Sequence, residues 1–292
     1  MRTLAEFIMR SRAQAALVVV LSAALPLLFW VSAAASSLVL LRRGFKDAFV
    51  PVMWALLPAL VWWYLGEATV VMAIAGTLVA AEVLRRTASW QYTLLASVVV
   101  GMVYGGLLSV TYSDQIAALA GEMQKLLPKV LGNNEAYKRL TVEQQQYLGN
   151  MVSTMLTGVL AALLQMVTIG SLMLGRYWQA LLYNPGGFGS EFRSLRLSPA
   201  IMVLLLVGTL LPNFAPGLLV LTPVCSVPLA FAGLALIHGL GVTRPTLVLL
   251  YVLIVMFLQV VYPLLVVLAI LDSLLDFRGR RAANGGPGPR EG

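Results

Sequence analysis

Charge is what this sequence has least of. Asp, Glu, Lys and Arg together make up 11% of its 292 residues, where a soluble domain carries about a quarter. A soluble fold of that composition would leave too much apolar surface facing water, which excludes an ordinary globular enzyme or carrier. Cysteine and histidine are nearly missing too, with Cys225 and His238 the single examples of each. One cysteine cannot close an intramolecular disulfide, and one histidine cannot anchor a multi-histidine metal site, so neither a metal nor another cofactor is expected. The apolar runs also lack period-two alternation, which excludes a membrane barrel.

What is present is hydrophobicity: 60% of the chain, with a mean hydropathy of +0.88. In lipid the backbone must satisfy its own hydrogen bonds, and long unbroken apolar runs do so as helices. The expected fold class is all-α, a polytopic transmembrane helical bundle of about eight or nine membrane segments in a bacterial inner (plasma) membrane. The runs fall near 13–25, 27–41, 48–66, 68–84, 92–112, 151–175, 200–220, 222–240 and 246–271. They form one transmembrane domain over 1–277, with an outer amphipathic loop at 113–150 and a cytoplasmic glycine-rich loop at 184–198. Residues 278–292, rich in Gly, Pro and Arg, read as a disordered tail.

The net charge of +8 does not form a basic face interleaved with aromatics, so nucleic acid is not an expected partner. The bases instead collect at the ends of apolar runs, as the positive-inside rule requires. Arg42, Arg43 and Lys46, then Arg85 and Arg86, then Arg176, Arg193 and Arg196 are all expected on the cytoplasmic side. Arg2, Arg10 and Arg12 ahead of an apolar stretch, with Ala33-Ala34-Ala35 beyond it, imitate a signal peptide. The run from Ala13 is too long before that site and continues into more apolar sequence, so it reads as a retained anchor. Taken as one helix the first two runs would reach ~43 Å, and Pro26 offers a break into two short pieces. An inside start with nine crossings places Arg278, Arg280 and Arg281 outside, against the charge rule. The side of the tail therefore stays open.

Within 113–150, Ile116, Leu119, Met123, Leu126 and Leu127 recur at helical spacing up to Pro128, and Tyr137, Leu140 and Tyr147 suggest a second stretch. These are either surface amphipathic helices or extensions of the adjoining spans. Small residues four apart, Ser97/Gly101/Gly105/Ser109 and Thr154/Gly158/Ala162, read as packing stripes that let helix backbones approach closely. Polar groups inside or bordering apolar runs are costly there and can mark a ligand path. They make Glu67, Tyr104, Tyr112, Gln165, Gln259, His238 and Asp272 the candidate ligand-binding residues. The loop from Asn184 through Gly186, Gly187, Phe188 and Phe192 to Arg193 is the candidate for docking a protein partner. It lacks the Lys-Ser/Thr ending of a phosphate-binding loop. No nucleophile elbow, zinc-protease helix or catalytic carboxylate pair appears, and no enzyme activity is expected.

These residues carry a resemblance. The Arg43-Gly44 end of the first pair, the run NPGGFGSEFRSLRL (184–197), LALIHGL (234–240) and LDSLLDFR (271–278) resemble membrane proteins of the YybS type, a domain of unknown function. That resemblance covers most of the chain. It implies a distant relation to the S components of energy-coupling-factor transporters, helical bundles that bind a micronutrient near the outer face. It implies an S-component-like core with extra C-terminal helices after residue 200, and transfers no ligand residue by motif. Two function classes follow, with the bilayer as the common partner. One is a protein that binds or transports a small molecule, with a polar cavity in the outer half. The other is a non-catalytic scaffold or assembly factor that docks a cytoplasmic or membrane protein through residues 184–196 and has a filled bundle.

Overall fold

The computed structural model describes residues 1–131 and 139–284. Among them every regular element is helical. Six helices are long and apolar enough to cross a membrane: Pro26–Arg43, Phe45–Tyr64, Trp90–Thr111, Val142–Tyr183, Leu221–Gly239 and Leu258–Leu275. The pair Gly187–Ser194 and Pro199–Leu210, bent by 69°, would make a seventh. The chain is thus an all-helical, multi-pass membrane protein.

The N-terminal half starts with α1 (Arg2–Arg10), an amphipathic helix that buries Ala5, Ile8 and Met9 and leaves its arginines outside. Ser11 breaks the chain in an extended conformation and its side chain caps α2 (Arg12–Ala24) by accepting from the Gln14 N–H. At Pro26 the chain turns through a 3₁₀ segment into α3 (Phe29–Arg43). The first apolar pair is therefore two short antiparallel helices, as a proline that cannot continue a helix dictates. α3 is the centre of this half: Ser32 to Leu41 are all buried. The Ala33-Ala34-Ala35 stretch that imitates a cleavage site is wholly buried core. Its small side chains let the helix that carries Gly175 come close, since a Cβ on Gly175 would run into Ser37 and the Ala34 carbonyl.

Gly44, at φ +85°, turns α3 into α4 (Phe45–Tyr64) in a backbone conformation that favours glycine. A Cβ there would also meet the Arg85 guanidinium at 2.8 Å. α5 (Thr69–Thr87) and α6 (Trp90–Thr111) follow, and α7 (Ser113–Leu131) continues almost directly from α6. α7 runs past Pro128 rather than ending there. α8 (Val142–Tyr183) has 42 residues, ~63 Å at the α-helical rise and twice the hydrocarbon thickness. It opens with a reciprocal capping box between Thr141 and Gln144. Of the second amphipathic stretch expected around Tyr137, Leu140 and Tyr147, Tyr147 lies on the extension of a span, Leu140 just precedes that helix, and Tyr137 lies outside the described residues.

The C-terminal half comprises α9 (Gly187–Ser194), α10 (Pro199–Leu210), α11 (Leu221–Gly239), α12 (Arg244–Met256), α13 (Leu258–Leu275) and α14 (Phe277–Asn284). α11 is its core, packed on α13 so tightly that a Cβ on Gly233 would strike the Leu265 carbonyl. The run expected as one span over 246–271 is broken at Phe257, whose φ −133° and ψ 42° are not helical. α12 leaves the end where Arg244 sits, and α13 returns to it. Ser273 donates to the Leu197 carbonyl at 3.0 Å, and Arg278 donates to the Arg193 carbonyl at 2.6 Å. The reversal at Phe257 puts the Arg278 end beside Arg193 and Arg196, the end whose side the charge rule had left open. The tail expected to be disordered from Arg278 begins in α14, and residues 285–292 lie outside the described residues.

Candidate functional site

Two ends of the bundle differ in chemistry. At the basic end, bonds join elements far apart in sequence: Arg12 to Asp47, Arg43 to the Met9 carbonyl, and Gln179 to the Leu41 carbonyl. Away from it, α6, α7, α8 and the 211–221 connection enclose the candidate site.

That site is built from the small-residue stripe of α6. Ser97 accepts a 2.9 Å hydrogen bond from the Gln165 amide of α8. One turn on, a Cβ at Gly101 would come within 2.7 Å of Val224 and 2.8 Å of Gln165, and one at Gly105 within 2.8 Å of Val220. Gly158 of α8 is equally close to Val220 and Pro223 of α11. The two stripes therefore bring α6, α8 and α11 into near-backbone contact at mid-height. Beyond Gly105 the helices part around a cavity of about 480 Å³. Ser109, Ser113, Ser153, Thr154 and Thr157 line it, with Gly106 in its wall.

The hydroxyls are mostly spent as donors. Ser109 donates to Gly106, Thr154 to Asn150 and Thr157 to Ser153, each to its own helix backbone at 2.8–3.1 Å. Such back-bonding leaves the oxygen lone pairs as acceptors. No charged side chain is among the residues that line the cavity. The arrangement suits an uncharged molecule that brings its own N–H or O–H donors.

A second outer cavity, about 360 Å³ and almost wholly apolar, lies on the other side of α7 between Phe29, Leu108, Tyr112, Leu160 and Leu164. Ile116, 5% exposed, lines both cavities. The first turn of α7 is the partition between them.

The candidate ligand residues do not converge. Tyr112 lines the apolar cavity, and its hydroxyl accepts the Ala68 N–H at 2.6 Å; burial pushes its pKa up, which keeps it protonated. Glu67 is exposed on the α4–α5 turn, where Thr69 donates to it at 3.4 Å, and Gln259 is exposed on the first turn of α13. Tyr104 and Gln165 lie buried among the helices. The Tyr104 hydroxyl donates to Met72 O at 2.8 Å and lies 2.8 Å from the Thr168 hydroxyl. Gln165 is wholly buried, with its carbonyl oxygen unpartnered.

His238 and Asp272 are at the basic end and hold different partners. Asp272 pairs with Arg278 at 2.6 Å. His238 Nδ1 lies 2.8 Å from the Leu234 carbonyl and Nε2 lies 3.2 Å from the Tyr251 hydroxyl. A carbonyl only accepts, so Nδ1 carries a proton and Nε2 accepts from Tyr251 when the ring is neutral.

His238 instead joins the residues expected to dock a partner. Asn184 and the left-handed Gly186 (φ +87°) turn the chain into α9, and a Cβ at Gly187 would strike the Asn184 amide. α9 then lays Phe188 edge-on to Trp90 and Tyr177 at 6.3 and 6.1 Å between ring centroids. Phe192 stacks on Phe188 at 6.0 Å and meets His238 edge-on at 5.3 Å. Glu191, which sequence reasoning passed over, fixes the helix by pairing with Arg176 and accepting from Trp90 at 3.4 Å. Its neighbours in the glycine loop concealed it, because its partners are 15 and 101 residues away. Arg193, Phe192 and His238 border a third cavity, of about 630 Å³, between α8, α9, α11 and α12.

Compared with known proteins, the chain matches no protein-family model, no curated protein and no solved structure.

Proposed function

We propose that this bacterial inner-membrane protein binds a small, uncharged, donor-bearing molecule in the hydroxyl-lined cavity beside α7, and serves transport in the manner of an S component. The cavity carries the reading. Its volume lies within the range of small-molecule sites, and it combines an apolar frame with a few convergent polar groups. It also lies where the transport class anticipates one, at the end away from the basic clusters and against the 113–150 segment. Orientation follows from charge: Arg42, Arg43, Arg85, Arg86, Arg176 and Arg196 belong to the basic end, which the positive-inside rule assigns to the cytoplasm. Both described termini then face the cytoplasm, and the cavity faces out. The scaffold alternative needs Phe188 and Phe192 to be presented to a partner. Their packing on Trp90, Tyr177 and His238 favours binding within the bundle instead.

The test is thermal unfolding of purified protein against a panel of vitamins and neutral metabolites, with Gly106→Leu as the control. A Cβ at Gly106 meets nothing within 4 Å, so leucine fills the cavity without forcing the helices apart. A neutral ligand is expected to raise the unfolding temperature of the native chain and not of the variant. No stabilising compound, or equal stabilisation of both proteins, would overturn the reading.

A further inference from the structure

We propose that the cleft at the basic end binds an anionic phospholipid, with Arg193 as the anchor for its phosphate. The reading is independent of the outer cavity and rests on charge, shape and position together.

Charge comes first. The carboxylates near the cleft are already committed: Glu191 to Arg176, Asp272 to Arg278 and Asp276 to Arg196. Among the described residues the Arg193 guanidinium meets no carboxylate, and neither does Arg244 at the start of α12. The mouth of the cleft therefore holds positive charge that nothing in the described chain neutralises. A guanidinium presents a planar fork of donors that fits phosphate oxygens two at a time.

Shape comes second. Met173, Leu174, Leu234 and Leu247 make an apolar wall, while Arg193 and Tyr251 make a polar rim. α12 contributes Leu247 and Tyr251 to the lining and has no buried residue of its own. It stands against the cleft without sealing it, as a wall open to an acyl chain requires. His238 is the positioning residue here: it ties Tyr251 of α12 to α11 and backs the Phe192 ring.

Position comes third. The cleft lies at the end of α8 and α11 that carries the basic clusters, the depth at which phosphates of the cytoplasmic leaflet are found. Basic pockets between spans on that side are recurrent sites for anionic headgroups. A free phosphate would leave the apolar wall unused, and a zwitterionic phospholipid would bring a quaternary ammonium to the positive mouth.

Native mass spectrometry of the full-length protein, released from detergent with added lipid, tests this. The probes are phosphatidylglycerol, phosphatidylcholine and inorganic phosphate. Phosphatidylglycerol should be retained, phosphatidylcholine about fivefold less, the scale of one basic residue facing an anionic rather than a zwitterionic headgroup. Arg193→Gln should erase that preference, while Arg193→Lys should keep part of it. Leu247→Trp, which fills the apolar side, should reduce retention of both lipids and guards against a failure of Arg193→Gln to fold. Equal retention of the two lipids would sink the proposal. So would a preference untouched by Arg193→Gln, or displacement of the lipid by millimolar phosphate.

Discussion

The basic end and the outer end of this bundle are held by different forces. At the basic end, charged side chains reach across the fold to ion pairs and backbone carbonyls: Arg43 to Met9, Arg196 to the Ser273 carbonyl at 3.1 Å, Arg278 to Leu195 at 2.8 Å. Among the described residues only Lys125–Glu122 forms an ion pair away from that end. At the outer end the cross-links are few and neutral, such as Trp62 to the Ala24 carbonyl at 3.3 Å and Thr222 to the Thr209 carbonyl at 3.0 Å. The hydroxyl-lined and the apolar cavity also lie there, divided by one isoleucine. The basic end is clamped around its own cleft by ion pairs, whereas the outer end is held loosely by neutral contacts, which suits it to an uncharged ligand.

Breaking the clamp should cost most. Asp272→Ala leaves Arg278, 15% exposed, without the carboxylate it faces. Removing one partner of a pair this buried destabilises by roughly 3 kcal/mol, read as a lower unfolding temperature in detergent. Asp276→Ala removes a more exposed pair, 34% and 46%, and should cost under about 1 kcal/mol.

The loose end should respond less in stability and more in binding. Ile116→Ala removes the partition between the two outer cavities, at about 2 kcal/mol for a buried aliphatic side chain. It should admit larger ligands, seen as a broadened set of stabilising compounds in the thermal panel. Tyr112→Phe withdraws the acceptor of the buried Ala68 N–H and should cost about 1 kcal/mol. Hydrogen exchange should then quicken at the first turn of α5. Gly106→Leu should change stability least, within about 0.5 kcal/mol, while it abolishes ligand stabilisation.

Much of the fold was legible locally. Pro26 announces the break between α2 and α3, and Gly44 the turn into α4, because each residue restricts the backbone by its own chemistry. The stripes on α6 and α8 were legible as packing surfaces, since small residues at helical spacing leave room for another backbone. The Phe257 break was not legible. Neither proline nor glycine marks it, and continuous hydrophobicity conceals a kink. Through that break the Arg278 end joins the basic clusters, a matter that charge alone left open.

The candidate site was legible only in part. Tyr104 and Gln165 stand out in the sequence as possible ligands because they are polar within apolar runs. Tyr104 is satisfied by Met72 and Thr168, 32 and 64 residues away. Of the hydroxyls that line the outer cavity, only Ser109 and Thr154 stand out in the sequence, and then as spacing residues.

The sequence by itself determined the membrane class, the helical content and the segments between chain breaks, because hydrophobicity and backbone restriction act through neighbours. The tertiary structure decided the rest: that the Arg278 end joins Arg193 and Arg196, that His238 meets Phe192 rather than Asp272, and that the stripes close at Gly101 and open at Ser109. Those outcomes depend on how α8 and α11 pack against helices remote in the chain, and van der Waals fit between remote surfaces is not written in the order of residues along either one.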